Sequence, residues 1–332
     1  MISDMAGAKK RVALLMGGKS GEREVSLNSG AEVQANIDQN RFEVTVYDPA
    51  FDLVRLADDG SVGRFDVAFL ALHGPFGEDG SIQGFLEMLG RPYTGSGILA
   101  SALAIDKEAT KKAYRKAGLP VAPDLVLSRD EVSEQFNTAK IVFYTLGSPV
   151  VVKPLRQGSS LGLTLAGTEI ELKRALAAVF DLGERAMVEK YLPGREFTCA
   201  VVGTKNLLAL PIIEIIPAEG HTFFNFSAKY EAGQSQEICP ADASLELTGE
   251  IQRLSVNAHR ALGCQGLSRS DLILSDGQSY LLETNTLPGL TSGSLVPKMI
   301  RAYGLTFTAF ISYLIDQALS PEAEVSLDDY RG

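Results

Sequence analysis

LSRSDLILSDGQSYLLETN, Leu267–Asn285, is the stretch from which the rest of the chain is read. Two apolar-rich arms, Leu267–Leu274 and Ser279–Asn285, flank Ser275, Asp276, Gly277 and Gln278, and the Asp-Gly pair tolerates positive φ. The segment therefore predicts a β-hairpin at the end of the fold. On it Asp271 faces Glu283 and Asn285, with Arg269 two residues before Asp271. Two carboxylates and an amide suit hard Mg2+, with Mn2+ as the alternative, holding nucleotide phosphates; ligands for softer metals are missing. Because side chains alternate between faces, a strict two-residue turn would separate Asp271 from Glu283. A bulged turn is expected instead. Acids on a hairpin are often only solvated, but here the next ten residues, Thr286–Leu295, are mostly small, and their amides can approach a carboxylate or an oxyanion.

Upstream, Lys153-Pro154 closes the strand-like run Val150–Val152 and leads into Arg156, Gln157, Gly158, Ser159, Ser160, Leu161 and Gly162. Such a loop can cover phosphates while the lysine supplies charge, although the GxxxxGK[ST] order of a Walker loop is missing and a Gly/Ser loop by itself is usually a turn. Lys107, read alone, is a surface lysine. Glu189, Lys190, Tyr191 and Leu192, followed by Gly194 and Glu196, end another strand, where backbone groups can pair with a base and an acid can accept from ribose hydroxyls.

The first hundred residues alternate strands (Val12–Met16, Val44–Tyr47, Val67–Leu72) with helices, one carrying Leu27, Ala31 and Ala35, another Ile82, Phe85, Leu86 and Leu89. A parallel α/β layer is expected. Its first turn, Gly17–Ser26, lacks GxGxxG spacing, and no acid ends the second strand in the ribose-binding role, which weighs against a dinucleotide site. Glu22 there suits either a substrate amine or a helix N-terminus. His73 leaves the third strand into a glycine-rich loop, where open α/β sheets bind ligands; His221 and His259 have no such setting.

A second unit starts at Asp106, an N-cap for a helix carrying Ala109, Ala113 and Tyr114 and closing at Gly118. It continues through Val150–Val152, a helix with Leu172, Leu176 and Val179, and a strand through Val188. The remainder holds strands at Phe197–Val202 and Leu208–Ile216, a helix with Leu247, Ile251, Leu254 and Ala258, and the hairpin. The division read is 1–106, 107–196 and 197–332.

At 332 residues, 45% of them hydrophobic, the chain exceeds what one core organises. A formal charge of −10 opposes nucleic-acid binding. No stretch approaches the length of a membrane helix, and no signal-peptide pattern opens the chain, so a cytoplasmic protein is expected. Cys199, Cys239 and Cys264 are widely spaced and suit neither zinc nor a disulfide framework.

Taken in order, GGKSGEREVSLNSG from Gly17, ALHGPFGEDGSIQG from Ala71, YTGSGILASALAIDK from Tyr93, VVKPLRQGSSLG from Val151, VEKYLPGREFT from Val188, AKY at Ala228–Tyr230 and LLETNTLPGLTSGSL from Leu281 resemble the D-alanine-D-alanine ligases of the ATP-grasp superfamily. The resemblance covers nearly the whole chain. It implies an ATP-grasp fold, α/β and α+β, with an N-terminal parallel α/β (pre-ATP-grasp) domain, and ligation of two D-alanines through an acyl phosphate for cell-wall synthesis. It also implies a homodimer. By the same resemblance, Lys107, Lys153 and Lys229 contact ATP phosphates; Glu189, Lys190, Leu192 and Glu196 bind adenine and ribose; and Asp271, Glu283 and Asn285 hold magnesium. Arg269 and the Gly289 amide stabilise the oxyanion, Glu22 fixes the first ammonium, Ser294 and Leu295 receive the second carboxylate, and His73 lies beside the substrate. Glu22, Ser159 and Tyr230 match a trio that closes a loop over the site, and Tyr230 argues against D-lactate as acceptor. Ser270 and Leu155 depart from the family pattern and put local packing in doubt. Competing readings are a sister ligase using D-lactate or D-serine, a nucleotide-binding regulator without turnover, and a dehydrogenase.

Overall fold

In KRVALL, Lys10–Leu15 (β1), the last four residues are all buried, which means that both faces of the strand are covered. This is the signature of a parallel sheet with helices on either side. Strands β2 (Phe42–Tyr47) and β3 (Val67–Leu70) flank β1 in parallel, in the order β2-β1-β3. The computed structural model describes residues 8–132, 138–158, 162–217, 235–323 and 325–331. On one face of this sheet Ala13, Leu15 and Leu70 pack on Leu56 of α2 (Leu53–Ser61) and on Ile82 and Leu86 of α3 (Ser81–Met88). The other face meets α1 (Arg23–Asn36).

Helix α1 forms where expected but turns a different side inward. Ala31 and Ala35 are exposed, and the buried stripe is Ser26, Ser29, Gly30 and Val33. The hydroxyls explain it: Ser26 donates to the Ala71 carbonyl at 2.6 Å and accepts the Gly17 amide at 2.8 Å. The buried Gly17 amide and Ala71 carbonyl at the strand ends thus find partners on the helix. A Cβ at Gly30 would meet Met16 at 2.3 Å, so only glycine permits this approach.

The central sheet has the order β4-β7-β5-β6, built from Asp124–Leu127 (β4), Val150–Pro154 (β5), Thr164–Ala166 (β6) and Ala186–Lys190 (β7), all antiparallel. Helices α6 (Thr138–Leu146) and α7 (Glu169–Asp181) cover it, and Thr168 with Glu171 forms a capping box at the start of α7.

The third sheet runs β11-β10-β8-β12-β13, with β9 beside β8. Its strands are Arg195–Gly203 (β8), Leu208–Ala209 (β9), Ile213–Pro217 (β10), Ser235–Ile238 (β11), Gly266–Ser275 (β12) and Gln278–Asn285 (β13). The single strand expected over Leu208–Ile216 is split by Pro211, which has no N–H to donate, and the pairing with β8 slips by one residue across it. Behind the sheet lie α8 (Leu245–Leu262) together with α4 (Ile98–Ile105) and α5 (Lys107–Lys116), whose Ala100, Ala104 and Tyr114 share its core. The hairpin is not the end of the fold. Helices α9 (Leu295–Tyr303) and α10 (Phe307–Leu319) follow, and α10 returns to the first sheet, where Phe310, Ile311 and Leu314 pack with Val12, Leu14 and Phe69. Among the described residues no helix is long and apolar enough to cross a membrane.

Candidate nucleotide and substrate site

The hairpin turn is a strict two-residue turn. Ser275 pairs with Gln278, and Asp276 and Gly277 both have positive φ, +49° and +78°, as a type I′ turn requires. The bulge expected in the turn sits in the arm instead. Leu272 pairs with Leu281 but Asp271 pairs with Glu283, leaving Leu282 as the extra residue. That insertion restores the parity that the turn alone would break: Asp271 stands opposite Glu283 and Arg269 opposite Asn285, all four on one face. Two carboxylates and an amide on one face fit a hard divalent cation shared with phosphate oxygens. Among the described residues no cluster of three or more His, Cys, Asp or Glu side chains offers a metal a complete protein cage.

That face forms one wall of a cleft against the central sheet, lined by Lys107, Lys153, Glu189, Lys190, Leu192, Glu196, Asp271 and Glu283. Val151, Leu163, Ile273 and the bulged Leu282 add apolar surface on both sides, suited to a flat aromatic ring. Asp106 caps α5 by accepting the Glu108 and Ala109 amides at 3.1 Å, which places Lys107 at the first helical position. The Lys107 ammonium donates to the Gln157 carbonyl at 2.8 Å and lies 3.5 Å from Glu283 Oε2, so it ties the Gly/Ser loop to the hairpin. Leu155 is buried, and its carbonyl accepts the Lys107 amide. Ser270 is satisfied in a chain of hydroxyls running to Thr284 and Tyr114. Both departures from the family pattern are therefore accommodated.

Glu189 lines the cleft, and its carboxylate lies between two lysines. Both of its carboxylate oxygens are taken by lysines, Oε2 by Lys153 at 2.5 Å and Oε1 by Lys111, so its side chain is committed to a buried ion network. Burial opposes charge on both groups. The pairing outweighs it, holding the Lys153 pKa above and the Glu189 pKa below their ordinary values. Lys111 was missed in the sequence because the apolar spacing of Ala109 and Ala113 drew the helix face one position away. The buried set is Lys107, Thr110, Lys111 and Tyr114, itself a helical stripe but a polar one.

Glu22 and His73 are not among the residues lining that cleft; they stand where the loops after β1 and β3 meet the segment after the hairpin. An added Cβ at Gly158 would come 3.1 Å from Glu22 Oε2, which shows how closely the loop after β5 approaches. His73 Nδ1 donates to the Leu287 carbonyl at 2.9 Å, so Nε2 accepts from the Ser29 hydroxyl at 3.0 Å; Ser29 in turn accepts the Leu290 amide. Burial, with a smaller push from Arg269 and against the Leu287 bond, lowers its pKa to about 4. His73 is thus a neutral strut holding Leu287–Leu290. Arg269 forks onto Asp271 through two 3.0 Å bonds, and Thr198 donates to the same carboxylate at 2.7 Å. A Cβ at Gly289 would meet Ser294 Oγ at 2.9 Å, and Ser294 is the N-cap of α9, with Leu295 its first residue.

Sequence reasoning passed over Glu78. Burial and the neighbouring Glu22 push its carboxyl up to about 8, against the Gly74 amide it accepts at 2.6 Å. Only the fold reveals this, since it depends on two loops meeting. Sequence reasoning also found no ribose-binding acid after the second strand. Asp48 does follow β2, but Arg23 at 2.6 Å and the Gly18 and Ala50 amides occupy it. Ser159, Lys229 and Tyr230 lie outside the described residues, as does His221.

The sequence matches the family D-ala D-ala ligase N-terminus over residues 48–96 and D-ala D-ala ligase C-terminus over residues 113–316. It is 48% identical to a D-alanine–D-alanine ligase from Syntrophobacter fumaroxidans, over 95% of this chain and 99% of that protein, and 44% identical to one from Desulfotalea psychrophila, over 96% and 98%. Its fold superposes with TM-score 0.79 on a D-alanine–D-alanine ligase from Bacillus anthracis complexed with ATP, 33% identical, covering 94% of this chain and 98% of that one. A D-Ala:D-Ser ligase from Enterococcus faecalis superposes with TM-score 0.80 at 30% identity, covering 93% and 99%. The chain belongs to the D-alanine–D-alanine ligase family.

Proposed function

We propose that this chain carries out its family's reaction, the ATP-dependent ligation of two D-alanine molecules to D-alanyl-D-alanine for peptidoglycan synthesis, in the cleft described above. One observation carries the reading: Lys107, Lys153, Asp271 and Glu283, spread over 177 positions of the chain, line one cavity whose walls also hold an apolar slot for a purine. In the proposed sequence a carboxylate oxygen of the first D-alanine attacks the γ-phosphorus of ATP, giving an acyl phosphate and ADP. The amine of the second attacks the acyl carbon, loses a proton, and phosphate leaves. Magnesium, or manganese in its place, supplies neutralisation of phosphate charge when held by Asp271, Glu283 and Asn285.

The chain's own groups do the positioning. Lys107 and Lys153 bear on the phosphates; the backbone at Glu189, Lys190 and Leu192 takes the adenine, with Glu196 on the ribose. Glu22 takes the first ammonium. Arg269 and the Gly289 amide face the oxyanion that develops at the tetrahedral centre. The N-terminus of α9, at Ser294 and Leu295, takes the second carboxylate. His73 acts here through the Leu287–Leu290 segment. Family likeness adds Lys229 on phosphate and the lid trio of Glu22, Ser159 and Tyr230, which would exclude water from the acyl phosphate.

The division at 106/107 and 196/197, a homodimer formed through the N-terminal domain, and a cytoplasmic location belong to the same proposal. The test is phosphate release from MgATP with D-alanine, L-alanine, or D-alanine plus D-lactate or D-serine, with products identified by mass spectrometry. Release with D-alanine alone and a D-alanyl-D-alanine product is expected. Release only with an added second acceptor would move the assignment to a sister ligase, and ATP binding without release would refute it.

A further inference from the structure

A cation outside the roles assigned above joins the two walls of the cleft. Lys111 is 0% exposed on α5, a helix whose Tyr114 lies in the core of the C-terminal sheet. Its ammonium nevertheless reaches the central sheet. There it pairs with Glu189 Oε1 on β7, donates to the Ala122 carbonyl at 2.8 Å, and lies 3.1 Å from Asp124 Oδ1 on β4. Two hydrogen bonds and a further ion pair thus surround the ammonium. Arg115, one turn further along α5, pairs with the same Asp124. Glu189 Oε2 in turn holds Lys153. The result is an unbroken line from α5 through Glu189 to the lysine that faces the nucleotide.

We infer that Lys111 is a positioning residue for the ligation: by occupying one oxygen of Glu189 from a helix anchored on the opposite wall, it sets where Lys153 presents its ammonium to the nucleotide phosphate. The physical reason is competition for one carboxylate. With Lys111 in place, Glu189 divides its charge between two ammoniums, and Lys153 keeps donor capacity for phosphate. Without it, the buried carboxylate has Lys153 alone, and in a low-dielectric site that attraction draws the ammonium onto Glu189 and away from the cleft. The fork also pins β4 and β7 to α5, so the two walls keep the spacing at which lysine and hairpin carboxylates reach one nucleotide.

The inference rests on the reading of Lys153 as a phosphate ligand, and Lys153→Met tests that reading separately. Steady-state kinetics on the full-length enzyme then separate the substrates. Lys111→Met is expected to raise the KM for ATP about tenfold or more while each D-alanine KM changes by less than about twofold. In a double-mutant cycle, Lys111→Met/Glu189→Gln should show the ATP KM of Glu189→Gln alone, within about threefold, because the lysine has nothing left to hold. If Lys153→Met weakens ATP but Lys111→Met does not, the inference fails and the nucleotide site stands. If Lys111→Met raises all three KM values alike, its role is general stability and the inference fails. If Lys153→Met leaves ATP unaffected, both readings fall. Should the single variant not fold, the charge-balanced double variant decides: an ATP KM above that of Glu189→Gln by more than about threefold overturns the inference.

Discussion

Asp271 and Glu283 face each other across one rung of the hairpin and share a proposed task, yet the structure gives them unequal structural duties, and their amide variants should separate function from stability. Asp271 is 5% exposed and accepts three hydrogen bonds, from Thr198 and from both arms of the Arg269 fork. Asp271→Asn keeps one oxygen but turns an NH2 toward the largely buried Arg269 guanidinium and removes the charge of the two-bond fork. Breaking one partner of such a pair costs about 3–5 kcal/mol. Glu283 is more open, with 29% of its side chain exposed and an ionic contact to Lys107 at 3.5 Å. That contact is longer and more open to solvent than the Arg269 fork, so losing it should cost less than the Asp271 substitution does. If both carboxylates serve the metal, phosphate release should fall by about a hundredfold or more in each variant, the size of effect seen when an electrostatic group acting in the transition state is removed. Thermal unfolding measured beside phosphate release over a magnesium titration checks this. Asp271→Asn should lose both stability and turnover; Glu283→Gln should lose less stability than Asp271→Asn and be nearly inactive. Normal turnover of Glu283→Gln at saturating magnesium would refute the metal assignment. A stability loss in Glu283→Gln matching that in Asp271→Asn would show that the two carboxylates carry equal structural duties.

Two further outcomes follow from Glu78 and from the first turn. Glu78 is held protonated, with its folded pKa raised from 4.5 to about 8, so its contribution to stability is full below pH 4.5 and is lost as pH rises through about 8. Unfolding temperatures between pH 6 and 9 should therefore fall more steeply for the parent than for Glu78→Gln; parallel curves would show that Glu78 ionises normally. Gly17 has φ +90°, and a Cβ there would lie 2.6 Å from Asp48 Oδ2, a carboxylate fixed by Arg23 and two amides. Gly17→Ala should cost about 1–3 kcal/mol by chemical denaturation, and a loss within experimental scatter would mean that the turn has room to relax.

Much of the molecule was legible in the sequence because local patterns decide it. The buried runs of β1 and β3, the Asp106 cap, the Asp-Gly turn and the apolar stripes of α3, α7 and α8 each depend on neighbours within about two helical turns. Motif order supplied the family and the residues that line the cleft. Other features were set by groups far apart in the chain. Helix α1 buries serines because Ala71 and His73, just past the end of β3, meet it, and in α10 seven of thirteen residues are covered by distant parts of the chain. The parity that puts Asp271 opposite Glu283 was inferred correctly as needing one extra residue, but the location of that residue was not, since a turn and an arm satisfy the count equally well. Lys111 and Glu189 lie 78 positions apart, and nothing in either segment announces the other. The sequence by itself determined the family and the local elements that carry the cleft-lining side chains. Only the tertiary structure decided which charges share a dry interior, because ion pairing and burial depend on distance in space, whereas secondary-structure periodicity depends on distance along the chain.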